Sequence, residues 1–346
     1  MHMSDAFLSP AVGGAMLAAS GGVASVAARR LRRRPDEGRV ALMGVLGAFV
    51  FAAQMVNFAI PGTGSSGHLA GGLLLAILLG PHAAFLTMAS VLAVQAFVFA
   101  DGGLLALGCN LFNMGFCACY VAYPLACRPL VGREASARRL ALGAVAGSVL
   151  ALQLGALGVV VETALSGASA LPLRSFALLL LPVHLAIGIA EGLVTGAVVL
   201  FLRRTRPELL AGGAPAAPGR RSLRPVLVGA ALAAALVGGV VSWFASARPD
   251  GLEWSLARVG AAPPAVDRLH RLLEGLQAAT ALLPGYAFRG DAAPAGAAPW
   301  PAPSAGTTAS GIAGALLTLG LAVAVGAALR LARRADRSPR TPAGPP

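Results

Sequence analysis

Long apolar runs separated by short polar or arginine-rich stretches make up most of the sequence. Because a helix needs about 20 predominantly apolar residues to cross a bilayer, the pattern predicts nine membrane-spanning helices. They cover residues 6–28, 40–60, 69–80, 83–100, 103–127, 140–161, 175–202, 225–247 and 309–329. The predicted fold class is therefore an all-α polytopic membrane protein.

Residues 69–100 are ambiguous, because this stretch is long for one helix and short for two. As a single span it would place the arginine cluster at 128–139 outside the cell. A break at Gly80-Pro81 instead places every arginine cluster on the cytoplasmic side. We expect the break, because the cytoplasmic segments of membrane proteins are enriched in basic residues.

The composition supports a membrane protein. Hydrophobic residues make up 57% of the chain and charged residues 12%, whereas soluble domains carry about 25% charged residues. A net charge of +13 would also suit a nucleic-acid-binding protein. The arginines cluster at the ends of apolar runs, however, which is typical of membrane proteins and predicts no nucleic-acid partner.

The chain divides after the seventh predicted span. Residues 1–206 form a domain of about seven helices, and the composition of 207–224 is typical of a flexible cytoplasmic linker. Residues 225–331 form a two-span unit with an extracytoplasmic loop at 248–308, and the end at 332–346 is predicted to be disordered. In this topology the amino terminus and the 61–68 loop lie outside the cell and the carboxyl terminus lies in the cytoplasm.

A histidine at position 2 makes the amino terminus a potential chelator. The α-amine of Met1 and the backbone nitrogen of His2 close a five-membered ring around a metal ion, and the His2 Nδ1 atom closes a six-membered ring. Three nitrogens then lie in one plane and one equatorial position stays open. This coordination suits Ni(II) or Cu(II), whereas Zn(II) prefers a tetrahedron.

His68 is the candidate for the open position, because its loop is predicted on the same membrane face as the amino terminus. The chain begins without a basic n-region, so we predict no cleavable signal peptide and expect the amino terminus to persist. Chance placement of a histidine at position 2 is the alternative. The predicted metal site consists of Met1, His2 and His68.

Four polar residues near the outer ends of spans are candidate hydrogen-bond partners of the ligating histidines. Ordinary contacts at helix ends are the alternative role for them. These residues are Asn57, Asp101, Asn110 and Asn113.

Other ionisable residues are assigned different places. Glu191 lies within a span, where a carboxylate is by default a functional hypothesis. We expect it in the cytoplasmic half, away from the metal, with a role in coupling or helix packing. His82 is expected at an inner turn, His184 in the outer half of the seventh span and His270 at the surface.

The cysteines fall in or beside the fifth predicted span and lack the paired spacing of a zinc site. We predict that they are buried small apolar residues without a disulfide framework. They are Cys109, Cys117, Cys119 and Cys127.

An enzyme is the alternative function. Residues 64–67 fit the Gly-x-Ser-Gly pattern of rhomboid-like intramembrane serine proteases, and a Ser66–His184 dyad is conceivable. Such a short match in a Gly/Ser-rich loop is a weak signal, and the hypothesis leaves Met1 and His2 unexplained. A passive channel is disfavoured, because nothing resembles a ring of charged residues along a pore.

Several segments, read in order, resemble the substrate-capture component of the energy-coupling-factor nickel/cobalt transporters, the CbiM/NikM family. They are residues 1–10 (MHMSDAFLSP), 57–61 with 66–72, 101–110 with 113–115, and 190–195 (AEGLVT). Residues 249–255 (PDGLEWS) and 283–286 (LPGY) resemble the small two-span companion subunit of the same transporters. The whole chain thus resembles a NikMN-type fusion.

The resemblance implies a non-enzymatic capture protein of the cell (inner) membrane that binds Ni(II) or Co(II), its transported substrate, through Met1, His2 and His68. It also implies a transmembrane coupling (T) subunit and cytoplasmic ATPase subunits as partners. The sequence has no Gly-x-x-x-x-Gly-Lys-Ser/Thr phosphate loop, so ATP hydrolysis is expected from those partners. The Ser-Gly-His wording at 66–68 favours nickel, on resemblance alone.

Overall fold

The computed structural model describes residues 2–33, 37–130, 135–167, 171–210, 222–261, 267–290 and 300–337. Helices dominate these residues, because a chain in lipid must satisfy its backbone hydrogen bonds internally. The helices of the first domain are α1 (Pro10–Arg33), α2 (Glu37–Gln54), α3 (Gly72–Leu79), α4 (Pro81–Phe99), α5 (Leu107–Asn110), α6 (Ala137–Leu165) and α7 (Leu173–Thr205). Helix α5 continues into a π-helical segment, Leu111–Cys127.

The second unit contributes α8 (Arg224–Gly239), α9 (Gly251–Arg258), α10 (Arg268–Thr280) and α11 (Ala305–Arg337). Short 3-10 turns occupy Asp5–Phe7, Pro207–Leu209, Val241–Phe244 and Pro284–Tyr286. Each predicted span corresponds to a helical segment in the same order, which confirms the all-α membrane fold. By length and hydropathy α1, α4, α6, α7 and α11 can cross a membrane, and α2 and α8 are shorter apolar helices.

The crossing that contains α3 is interrupted. Helix α3 has eight residues and is about 12 Å long, much less than the roughly 30 Å of a hydrocarbon core. Gly80, at a φ of 75°, ends α3 and α4 begins at Pro81, so the predicted break is confirmed. The predicted start of this span at residue 69 is wrong, because Gly71 also has a φ of 75° and the helix does not extend before it. The crossing therefore combines irregular backbone at 68–71 with a half-helix.

A small hairpin precedes this interrupted crossing. Strand β1 (Phe58–Ala59) pairs antiparallel with β2 (Ser66–Gly67), and Phe58 lies opposite Gly67. Since β2 ends at Gly67, the hairpin delivers His68 directly into the helical bundle.

The second unit packs closely on the first. Helices α8 and α11 pack against each other and against α2. The ring of Phe51 from α2 lies 5.3 Å from that of Phe99 at the end of α4, and the ring of Tyr286 stacks on Phe99 at 4.9 Å. Both phenylalanines are fully buried. This aromatic cluster fixes the loop of the second unit over the carboxyl-terminal end of α4.

Two predicted regions differ at their boundaries or are only partly described. The predicted disordered end begins too early, because α11 continues as a helix to Arg337; residues 338–346 lie outside the described residues. So do residues 211–221 of the predicted linker, whose first residues form the Pro207–Leu209 turn. The predicted loop at 248–308 contains α9 and α10. The four cysteines are buried and free, as predicted.

Candidate metal centre at the amino terminus

His2 and His68 lie side by side in the structure. Their ring centroids are 5.1 Å apart with an interplanar angle of 21°. His2 precedes the first 3-10 turn and His68 follows β2, so segments 66 residues apart in sequence converge. Met1, the third predicted ligand, lies outside the described residues.

The segment that carries His2 is held by hydrogen bonds to its backbone. Asn110 accepts from the Met3 N–H at 2.7 Å and donates to the Met3 carbonyl at 3.2 Å. The Gly103 N–H donates to the same carbonyl at 2.9 Å, and the Asp5 carboxylate accepts from the Ala106 N–H at 2.9 Å. These bonds fix the chain immediately after His2 against the loop between α4 and α5.

Both nitrogens of the His2 ring have partners. The Nε2 atom lies 3.1 Å from Oε1 of Gln95, and Nδ1 lies 3.3 Å from a carboxylate oxygen of Asp101. The His2 side chain is only 7% exposed. Burial lowers the pKa of His2. A lowered pKa favours the neutral imidazole, which is the form that binds a metal ion.

The irregular backbone after His68 is satisfied by two buried side chains. Glu191 of α7 accepts from the Ala70 N–H at 2.6 Å and from the Gly71 N–H at 3.2 Å. Gln54 of α2 donates to the Ala70 carbonyl at 2.8 Å. Non-helical backbone at membrane depth is tolerated where protein groups satisfy it. The expectation that Glu191 lies away from the metal site is thus wrong, because its carboxylate binds the second and third residues after His68.

A second pair of hydrogen bonds connects this region to His2. The Gln95 amide nitrogen donates to Oε1 of Gln54 at 2.6 Å, and Gln95 Oε1 faces His2. Gln95 is fully buried and Gln54 is 5% exposed. Sequence reasoning missed both glutamines. The available signal was a polar amide inside an otherwise apolar predicted span, since such residues face the bundle interior.

The start of α9 borders the His68 side of the site. Ser66 donates its N–H to the Pro249 carbonyl at 2.8 Å and its hydroxyl to the Arg248 carbonyl at 2.7 Å. Asp250 caps α9 by accepting from backbone N–H groups at its first turn, and it lines a narrow cavity with His68 and His184. Burial alone would raise the pKa of Asp250, but the positive charge of the amino terminus and a backbone hydrogen bond lower it to about 2. A negatively charged Asp250 beside the site is therefore favoured at physiological pH.

The geometry does not support the serine protease alternative. The Ser66 hydroxyl is donated to backbone carbonyls of the second unit. The His184 Nδ1 atom bonds to the Leu180 carbonyl at 2.9 Å within α7. The hydroxyl is thus not directed to an imidazole base, as nucleophilic catalysis would require.

The loop of the second unit covers the His2 side of the site. Tyr286 donates its hydroxyl to the Asp101 carboxylate, whose other oxygen faces His2. Gln277 of α10 donates to the carbonyl oxygens of Ala96 at 2.9 Å and Gly102 at 2.7 Å. The candidate site is therefore enclosed by both units.

His270 is not the surface residue that the sequence suggested. Its Nε2 atom lies 2.9 Å from the Leu8 carbonyl oxygen and 3.1 Å from that of Asp5. Its Nδ1 atom lies 2.8 Å from a carboxylate oxygen of Asp267. His270 thus joins α10 to the amino-terminal segment, because the loop folds back over the first domain.

The four predicted supporting residues occupy different environments. Asp101 contacts His2 and Asn110 holds Met3, as described above. Asn113 donates to Glu162 at 2.8 Å inside the bundle. The Asn57 carbonyl accepts from the Ser246 N–H at 2.8 Å, and among the described residues its buried Oδ1 atom has no hydrogen-bond partner. His82 lies at the start of α4 and bonds to Tyr120.

Within the described part of the chain, no group of three or more His, Cys, Asp and Glu side chains is arranged to hold a metal ion.

Residues 2–209 match the family described as the cobalt uptake substrate-specific transmembrane region, and residues 224–331 match the PDGLE domain. The chain is 32% identical to the Archaeoglobus fulgidus protein named "Putative fused nickel transport protein NikMN" over 330 residues, which cover 94% of this chain and 98% of that protein.

Two further similarities agree with this match. The "Fused nickel transport protein NikMN" of Rhodobacter capsulatus is 36% identical over 233 residues, covering 64% of this chain and 67% of that protein. The crystal structure of a truncated transition metal transporter superposes with a TM-score of 0.52 at 33% identity, covering 59% of this chain and 99% of that one.

Proposed function

Because the chain belongs to the family of cobalt uptake substrate-specific transmembrane proteins and carries a PDGLE domain, we propose that it is the substrate-binding membrane component of an energy-coupling-factor importer. As a member of that family it is a component of cobalt or nickel transport. The finer proposal is that it captures Ni(II) or Co(II) with the free amino terminus of Met1 together with His2 and His68.

The stacked pair of imidazoles at His2 and His68 carries this proposal. In the proposed complex the Met1 α-amine, the His2 backbone nitrogen and the His2 Nδ1 atom occupy three corners of a plane, and an imidazole nitrogen of His68 occupies the fourth. The carboxylates of Asp101 and Asp250 lie beside His2 and His68 and compensate the charge of the divalent ion. Four nitrogen ligands in a plane suit Ni(II).

Nickel is the first candidate substrate, because the relative that spans nearly the whole chain is named as a nickel transport protein. Cobalt is the second, because it accepts the same nitrogen ligands. Absorption spectra of the Ni(II) and Co(II) complexes and competition between the two ions distinguish them.

Uptake requires partners that supply energy. We assign this role to a transmembrane coupling subunit and cytoplasmic ATPase subunits, since the sequence has no phosphate-binding loop of its own. The arginine-rich helix ends support an orientation in which the metal site faces the outside of the cell. Labelling of single cysteines, introduced on either side of the membrane in a variant whose four native cysteines are changed to alanine, tests this orientation.

The direct test of the site is Ni(II) binding by protein purified with an unmodified amino terminus. We expect His2→Ala and His68→Ala to abolish binding, and His82→Ala to leave it unchanged, because His82 bonds to Tyr120 and touches neither ring. Coordination of an amide nitrogen releases its proton, so affinity should fall as the pH is lowered. Wild-type affinity in the His2 variant would refute the proposed site.

A further inference from the structure

We propose that Gln54 and Gln95 form a directional hydrogen-bond relay, which fixes the His2 tautomer for metal binding and ties it to the backbone beside His68. The inference rests on the proposed function, because it assigns a role to these glutamines at the same metal site. Neither glutamine is a ligand; both act as positioning residues.

The direction of the relay follows from the carbonyl at its end. The Ala70 carbonyl can only accept, so the Gln54 amide nitrogen must face it. Gln54 Oε1 then faces Gln95 and must receive a hydrogen from the Gln95 amide nitrogen. Gln95 Oε1 is left facing His2 and can only accept. The hydrogen in the last bond must therefore come from the His2 Nε2 atom.

This polarity has a consequence for the metal. A neutral imidazole carries one hydrogen, and its position decides which nitrogen has a free lone pair. With the hydrogen on Nε2, the lone pair is on Nδ1 and faces the Asp101 carboxylate oxygen at 3.3 Å. Two acceptors then face each other, and a metal ion bound at Nδ1 would relieve their repulsion. Nδ1 is the atom that closes a six-membered ring with the His2 backbone nitrogen, so the relay selects the tautomer that the chelate requires. Metal-binding histidines commonly donate their second ring nitrogen in this way.

The relay also connects the two histidine segments. Its final acceptor belongs to Ala70, two residues after His68, and the N–H of the same residue is held by Glu191. Both sides of Ala70 are thereby fixed, one from α2 and one from α7. A displacement of the 68–71 backbone is transmitted through two glutamines to the ring of His2.

Ordinary helix-to-helix polar contact is the competing explanation, and a double-mutant cycle separates the two. We expect Gln95→Leu to weaken Ni(II) binding about 10-fold to 100-fold, the usual effect of removing an orienting partner. Gln54→Leu should weaken binding as well, although Gln54 touches neither histidine. Because the two glutamines act in series, the double variant should bind no more weakly than Gln95→Leu alone.

The matched control is Gln153→Leu. Gln153 also donates to a backbone carbonyl between two helices, at 2.9 Å from Leu181 on α7, but it belongs to α6 and has no link to His2. We expect it to bind Ni(II) like the wild type. The unfolding temperature of each metal-free variant shows whether the bundle is intact, and Gln54→Asn and Gln95→Asn withdraw the amides with less disturbance if a leucine variant fails to fold.

Wild-type affinity in Gln54→Leu, or additive losses in the double variant, would overturn the relay. His2→Ala in the same series separates this result from failure of the metal site. If His2→Ala abolishes binding while Gln54→Leu does not change it, the site stands and the relay falls. If His2→Ala binds normally, the proposed function itself fails.

Discussion

Glu191→Gln is the most informative single change at the interrupted crossing. The carboxylate of Glu191 is 1% exposed and accepts from two backbone N–H groups, those of Ala70 and Gly71. Glutamine has nearly the same size but only one oxygen. Its amide NH₂ would therefore face one of the two N–H groups, donor against donor.

The magnitude follows from one buried N–H group left without an acceptor. Such a group costs about 1–3 kcal/mol. If the 68–71 backbone must return to its native position for the metal to bind, this free energy reappears as a loss of affinity. Since 1.4 kcal/mol corresponds to a factor of ten, the expected loss in Ni(II) affinity is about 5-fold to 150-fold.

The assay is competition with a chromophoric chelator for Ni(II), using detergent-solubilised protein with an unmodified amino terminus. Glu162→Gln is the matched control, because Glu162 is also a buried carboxylate (4% exposed) but bonds to Asn113 of the π-helical segment. It should retain wild-type affinity.

An unchanged Ni(II) affinity in Glu191→Gln, with an unchanged unfolding temperature, would refute the reasoning. The backbone after His68 would then be held by something other than the carboxylate. An equal loss in Glu162→Gln would show that any buried carboxylate in the bundle has the same effect.

Three further predictions concern the amino terminus and the loop that covers it. One glycine added before Met1 should abolish Ni(II) binding, because the α-amine can no longer close the five-membered ring; a titration with undiminished affinity would contradict the chelate. Gly251→Ala should undock the loop, since the added methyl would lie 2.6 Å from Cγ1 of Val183, and limited proteolysis of the loop should become faster; unchanged protection would refute this. The pKa of His270 is raised because hydrogen bonds to Asp267 and to backbone carbonyls outweigh the opposing effect of partial burial. The contribution of His270 to stability should therefore be complete below its ordinary pKa of 6.5 and disappear as the pH rises through the raised value. The unfolding temperatures of wild type and His270→Ala should accordingly converge as the pH rises. A difference that stays constant with pH would contradict this prediction.

The helices are predictable from the sequence because an apolar segment in lipid must satisfy its own backbone hydrogen bonds, and a helix does so. The break at Gly80-Pro81 was also predictable, since the distribution of arginines excludes the unbroken alternative. The irregular backbone at 68–71 was not, because its apolar composition is that of a helix. Only the positive φ of Gly71 and the remote acceptor on Glu191 explain why it is not helical.

The same limit applies to the candidate site. His2 and His68 could be paired from sequence, because their chemistry and predicted membrane face coincide. The partners of these residues could not be chosen by nearness to a span end. Asn113, which was a candidate, bonds to Glu162, whereas Gln95, deep in an apolar helix, bonds to His2. Which amide faces which ring depends on how helices rotate about their axes, and hydropathy does not encode that rotation.

The second unit contacts the amino-terminal segment within one covalent chain, and this continuity strengthens the contacts. Donors on α10 and on Tyr286 reach the first domain across a gap of well over one hundred residues in sequence. If the two units were separate proteins, these contacts would require an encounter between them. Tethering replaces that encounter with an effective concentration in the millimolar range. The loop of the second unit can therefore cover the candidate site of the first domain in a fixed one-to-one ratio.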